Sequence, residues 1–136
     1  MAVVNELIRS EANGSISFGN YELNSKTKLS DFEHEGNLYK VKTFKEITKL
    51  ERNGMFVYES VPGTAVEDFA ATENGVSFVV YGTGDAQITV GLEESTEYKI
   101  SINGAASDQQ KTNLGGKLSM SIDLAELNGA KISIKK

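Results

Sequence analysis

Glu97-Tyr98-Lys99-Ile100-Ser101-Ile102-Asn103-Gly104 decides the fold class of this chain. Tyr98, Ile100 and Ile102 fall at every second position, Lys99 and Ser101 stand between them, and an Asn-Gly pair closes the run. Successive side chains of a strand point to opposite faces, so a spacing of two makes one face apolar and leaves the other to water. The pattern recurs on both sides. Phe78 and Val80, Ile88 and Val90, then Leu118, Met120 and Ile122, then Ile132 and Ile134 alternate with Ser77, Gln87, Thr89, Ser119, Ser121, Lys131 and Ser133. Such alternation is the mark of an antiparallel sheet with one wet face, and its apolar members are the expected core.

Working outward, Asn-Gly occurs five times, at 13–14, 53–54, 74–75, 103–104 and 128–129, each beside an apolar run. Both residues tolerate positive φ, which makes the pair a preferred centre for tight hairpins. Upstream, Ile16 and Phe18, a Gly19-Asn20 turn, then Tyr21 and Leu23 predict two short strands. Residues 25–36 are polar and acidic around Leu29 and Phe32 and read as a surface loop. Residues 38–44 alternate through Tyr39 and Val41, while Phe44, Ile47 and Leu50, three apart, fit a helical turn or an irregular strand equally well. Met55, Phe56, Val57 and Tyr58 make residues 55–61 apolar on both faces, as in a strand covered on both sides. A Pro62-Gly63 turn follows, and 65–72 reads as a loop or short helical turn. Val3, Val4, Leu7 and Ile8 sit at helical spacing, so residues 1–12 are expected as a short N-terminal helix or a docked arm. Residues 13–136 then form a single all-β domain of about ten short strands, an antiparallel β-sandwich of jelly-roll or Ig-like type, or a partly closed barrel.

Composition narrows function. The chain of 136 residues carries a formal net charge of −5, no cysteine, and only Arg9 and Arg52 as arginines. A net acidic chain opposes general nucleic-acid binding, since phosphate backbones are met by clustered cations. Nothing approaches the roughly 18 apolar residues of a membrane span, and the first residues lack a secretory pattern, so the expectation is a cytoplasmic protein with no membrane insertion. The sole histidine, His34, lies in Asp31-Phe32-Glu33-His34-Glu35, which does not meet calcium-loop spacing and reads as a solvated loop. There is no Gly-x-Ser-x-Gly, and Gly82-Thr83-Gly84 and Gly115-Gly116 read as hairpin turns rather than phosphate loops. No metal, cofactor or catalytic residue is expected, and the chain is read as a non-enzyme. It has no tryptophan, the usual sugar platform, and Tyr81 on the polar side of its strand is the candidate ligand contact.

Residues 92–100 and 111–119 resemble the small Ig-like accessory β-domains of polysaccharide-acting enzymes. The chain as a whole, through residues 39–50 and 55–64, resembles small β-rich proteins of anaerobic Firmicutes that sometimes carry an endosialidase label. The resemblance implies an accessory or assembly protein and supplies no catalytic residue, since sialidases use several arginines and this chain has two. The expected function is therefore a non-catalytic, self-assembling structural protein, forming homo-oligomers or filaments through sheet edges or the N-terminal arm. Val3, Val4, Leu7, Ile8, Phe56 and Tyr58 are the candidate contact residues. The alternative is a carbohydrate-binding accessory module with a glycan partner.

Overall fold

The computed structural model describes residues 3–125 and 127–136, and these contain strands and no helix. In chain order the strands are β1 (Ile8–Ser10), β2 (Ile16–Phe18), β3 (Thr27–His34), β4 (Asn37–Phe44), β5 (Ile47–Arg52), β6 (Met55–Val61), β7 (Ala65–Thr72), β8 (Gly75–Tyr81), β9 (Asp85–Gly91), β10 (Glu97–Ile102), β11 (Ala105–Lys111), β12 (Lys117–Asp123) and β13 (Ala130–Lys135). They form a seven-stranded sheet, β1-β2-β7-β8-β13-β10-β11, and a six-stranded sheet, β12-β9-β6-β5-β4-β3. Every pairing among the described residues is antiparallel, and the inner faces of the two sheets share one core.

Tyr58 of β6 is the central piece of that core. Its ring meets Phe18 edge-on at 5.2 Å, Phe78 at 5.8 Å and Phe69 at 6.5 Å, so one aromatic from the six-stranded sheet is held by three from the other. Edge-to-face contacts of this kind add about 0.5–1.5 kcal/mol each beyond area burial. Burial pushes the Tyr58 phenol well above its ordinary value, against hydrogen bonds from Thr64 and Ser60 that act the other way.

Asn-Gly closes hairpins at β1–β2, β5–β6, β7–β8 and β10–β11. At the second and fourth of these, Asn53 (φ 51°) and Asn103 (φ 53°) take the left-handed backbone that a two-residue hairpin turn demands. Asn128-Gly129 instead leads into a crossover, because β12 and β13 belong to different sheets. Gly82-Thr83-Gly84 and Gly115-Gly116 also pass between sheets, which corrects their reading as hairpin turns.

Other expectations change for identifiable reasons. Residues 3–12 are neither helix nor free arm: the Val4 amide donates to the Gly19 carbonyl at 3.0 Å, and β1 pairs with β2 from Ile8↔Phe18 to Ser10↔Ile16. The first two residues of the expected arm lie outside the described residues. Residues 25–36 hold strand β3, whose alternation is broken by a bulge between Leu29 and Phe32 with Asp31 at φ 59°. Residues 65–72 are β7, broken in the same way around Asp68 at φ 55°. Residues 44–50 turn at Lys45-Glu46 between β4 and β5, while Tyr21 and Leu23 lie outside any strand. Of the expected core, Ile100, Leu118, Met120, Ile132 and Ile134 are buried, whereas Ile102 and Ile122 are only partly so.

Candidate functional site

The residues singled out for self-assembly go mostly into the chain's own interior. Val4, Ile8 and Tyr58 are buried and Leu7 packs against the core, because β1–β2 pairing lays the N-terminal segment over the sandwich. Val3 is half-buried, and Phe56 lies on the outer face beneath the Lys117 ammonium, 4.6 Å from the ring centroid. Of the six, Val4, Ile8 and Tyr58 are thus used in the chain's own core, and Val3 and Phe56 stay partly exposed. Tyr81 is no open platform. Its ring lies so close to Gly129 that a Cβ there would stand 2.7 Å from Cε2. Burial first, then the Glu67 carboxylate, raises its phenol above the ordinary value.

His34 is held at both ring nitrogens. Nε2 donates to the Gly14 carbonyl at 2.9 Å and Nδ1 accepts from the Ser10 hydroxyl at 2.7 Å, so the ring ties β3 of one sheet to the β1–β2 hairpin of the other. Among the described residues no group of three or more His, Asp or Glu is placed to hold a metal ion, and no helix is long and apolar enough to cross a membrane.

Two solvent-facing features bear on what the chain could bind. The first is a cleft of about 690 Å³ where the β5–β6 and β7–β8 hairpins approach, lined by Asn37, Arg52, Asn53, Met55, Glu73 and Tyr98 among others. Convergent amide, guanidinium and carboxylate groups beside apolar surface suit a hydroxyl-rich ligand. Met55, 72 % exposed, stands at its rim.

The second is the free edge of the six-stranded sheet. Edge strands carry unpaired backbone groups and are ordinarily blunted by shortness, bulges or charge. Three of the four edges here are blunted in these ways. β1 has three residues, β3 is bulged and carries Lys28, and β11 is paired through a bulge and carries Asp108 and Lys111. β12 is the exception: it pairs with β9 in unbroken register from Lys117↔Gly91 to Asp123↔Asp85, and its central residues Leu118, Ser119, Met120, Ser121 and Ile122 carry no charge. Leu114, just ahead of it, is 83 % exposed. At the far end Asp123 faces Asp85, a like-charge pair that neighbouring strands ordinarily avoid, and neither has a cationic partner among the described residues.

Comparison of the chain with protein-family models, with curated proteins and with solved structures returned no match, which leaves this geometry to carry the functional reading.

Proposed function

We propose that the chain is a non-catalytic structural protein that assembles with itself by pairing strand β12 against β12 of a second copy. One observation carries this reading: β12 is self-complementary when run antiparallel. The strand reads Lys-Leu-Ser-Met-Ser-Ile-Asp. A two-fold axis at Met120 sets Lys117 opposite the partner's Asp123, Leu118 opposite the partner's Ile122, and Ser119 opposite the partner's Ser121. Opposite residues of an antiparallel pair lie on the same face, so apolar meets apolar inside and polar meets polar outside. The contact also brings a lysine to each unneutralised Asp123–Asp85 pair. An isologous contact of this kind closes as a dimer, and the two six-stranded sheets become one. Main-chain hydrogen bonds contribute most of the association, as in other strand additions. His34, engaged at both ring nitrogens, supports the absence of a catalytic role.

Sedimentation equilibrium tests this. At high concentration the chain should run at twice its 14.7 kDa. Lys117→Asp and Asp123→Lys, which set like charges at both ends of the paired strands, should each weaken the dimer about tenfold or more. Combining the two substitutions should restore it. A monomer at every concentration, or single variants that dimerise like the parent, would overturn the reading.

Glycan binding is the second reading, favoured by the cleft over Tyr98. A glycan array should then show binding that Arg52→Ala abolishes, and an array without signal removes this reading.

A further inference from the structure

A row of side chains crosses the outer face of the six-stranded sheet at right angles to its strands. It runs Lys28 (β3), Lys42 (β4), Lys49 (β5), Glu59 (β6), Thr89 (β9) and Ser119 (β12), each directly opposite the next. Neighbouring strands are about 4.8 Å apart, so three lysines stand in line across about 10 Å. Lys40 lines the same small hollow, about 50 Å³, with Lys28, Lys42, Lys49 and Glu51. Five of the chain's 14 lysines and arginines thus gather here, with Lys26, although the net charge is −5.

Like charges directly opposite on adjacent strands are destabilising. Single like-charge pairs occur at Lys99↔Lys135 and Asp123↔Asp85, but among the described pairings only here do two follow one another across three strands. Protection of an edge strand against aggregation accounts for Lys26 and Lys28 but not for Lys42 and Lys49, which lie on interior strands. Of these five lysines only Lys49 has a carboxylate at ion-pair distance among the described residues, Glu51 at 3.6 Å. Lys42 is half-buried, and its ammonium is pushed below the usual lysine range first by burial and then by Lys26, Lys49 and Lys28, with Glu59 opposing.

We infer that Lys28, Lys42 and Lys49, flanked by Lys26 and Lys40, form a binding site for a compact, multiply charged oxyanion of the oligophosphate class. Lysine is a point charge with rotatable donors and takes phosphate oxygens without a fixed approach. The extent of the patch sets the size of the ligand: Glu59 closes the row after three strands and Glu51, beside Lys49 on β5, bounds it along the strand, which suits two or three linked phosphate groups and not a long polyanion.

Titration calorimetry at low salt with inorganic tripolyphosphate, pyrophosphate and orthophosphate tests the site. Affinity should rise with the number of phosphates, and Lys42→Gln should lower tripolyphosphate affinity about tenfold, as loss of one charge-assisted bond would. Lys99→Gln, on the other sheet, should leave it unchanged. Without anion, Lys42→Gln should melt no lower than the parent, because it relieves repulsion. Tripolyphosphate should raise the melting temperature of the parent more than that of the variant. No tripolyphosphate binding, equal binding by the triple Lys28→Gln/Lys42→Gln/Lys49→Gln variant, or tighter binding of a single-stranded oligonucleotide than of tripolyphosphate would each overturn the proposal.

Discussion

Alanine in place of Gly75 should remove a large part of the fold's stability. Gly75 opens β8 in the interior of the seven-stranded sheet, between Thr72 of β7 and Lys135 of β13. A Cβ on it would stand 1.8 Å from the carbonyl oxygen of Ile134 and 2.9 Å from the carbonyl carbon. The obstacle is backbone, so no rotamer change relieves it, and φ of 145° lies in a region that side-chain-bearing residues rarely enter. Relief requires β13 to move away, and β13 carries Ile132 and Ile134, both fully buried. Strain plus lost packing should exceed about 4–5 kcal/mol, a large part of the 5–15 kcal/mol typical of a domain. Gly54→Ala is the comparison: φ there is also positive, at 79°, but a Cβ would meet nothing within 4 Å. It should lose only the roughly 1–2 kcal/mol of left-handed backbone strain. Urea denaturation decides the matter, and a Gly75→Ala midpoint as high as that of Gly54→Ala would show that the close approach is not maintained in solution.

That contrast also explains what could be read from the chain alone. Strands β8, β9, β10, β12 and β13 keep an unbroken period of two on a face that another sheet covers, so Phe78, Ile88, Ile100, Leu118 and Ile132 announced themselves. β3 and β7 did not, because the bulges at Asp31 and Asp68 shift the alternation by one residue midway. β11 carries no apolar face at all: Ala105–Lys111 is exposed almost throughout, and a strand with nothing to bury leaves no pattern. Apolarity in Val4, Ile8 and Tyr58 was legible but its destination was not, since a core residue and an interface residue are apolar for the same reason. The candidate sites were hidden more deeply. Lys28, Lys42 and Lys49 stand 14 and 7 residues apart, separations that no strand period of two marks out, and only the registers of two successive hairpins bring them into line. The symmetry of Lys117 to Asp123 was visible in the letters, but it matters only because topology leaves β12 at an edge.

Thr64→Val should destabilise the fold by about 2–5 kcal/mol although valine has nearly the same shape. Thr64 is fully buried where the chain crosses from β6 to β7. Its hydroxyl bonds the Tyr58 hydroxyl at 2.8 Å and the Ser60 hydroxyl at 2.7 Å, while its backbone amide and carbonyl are both held by the Thr48 hydroxyl. Valine leaves the backbone bonds intact but takes away the hydroxyl that Tyr58 and Ser60 both bond, at about 1–3 kcal/mol for each buried group left short of a partner. The penalty comes from orphaned partners rather than from lost bonds, so removing the partners should recover stability. Adding Tyr58→Phe and Ser60→Ala to Thr64→Val should therefore give a protein more stable than Thr64→Val alone, despite two further substitutions in the core. The same site sets an alkaline limit. The Tyr58 phenol titrates higher when folded than when unfolded, so the folded state holds a proton that the unfolded state releases, and stability is present below about pH 10 and declines above it. Tyr58→Phe should flatten that decline. Chemical denaturation at neutral pH and above pH 10 reads both effects; a triple variant weaker than Thr64→Val alone would mean that the three hydroxyls are satisfied by something other than one another.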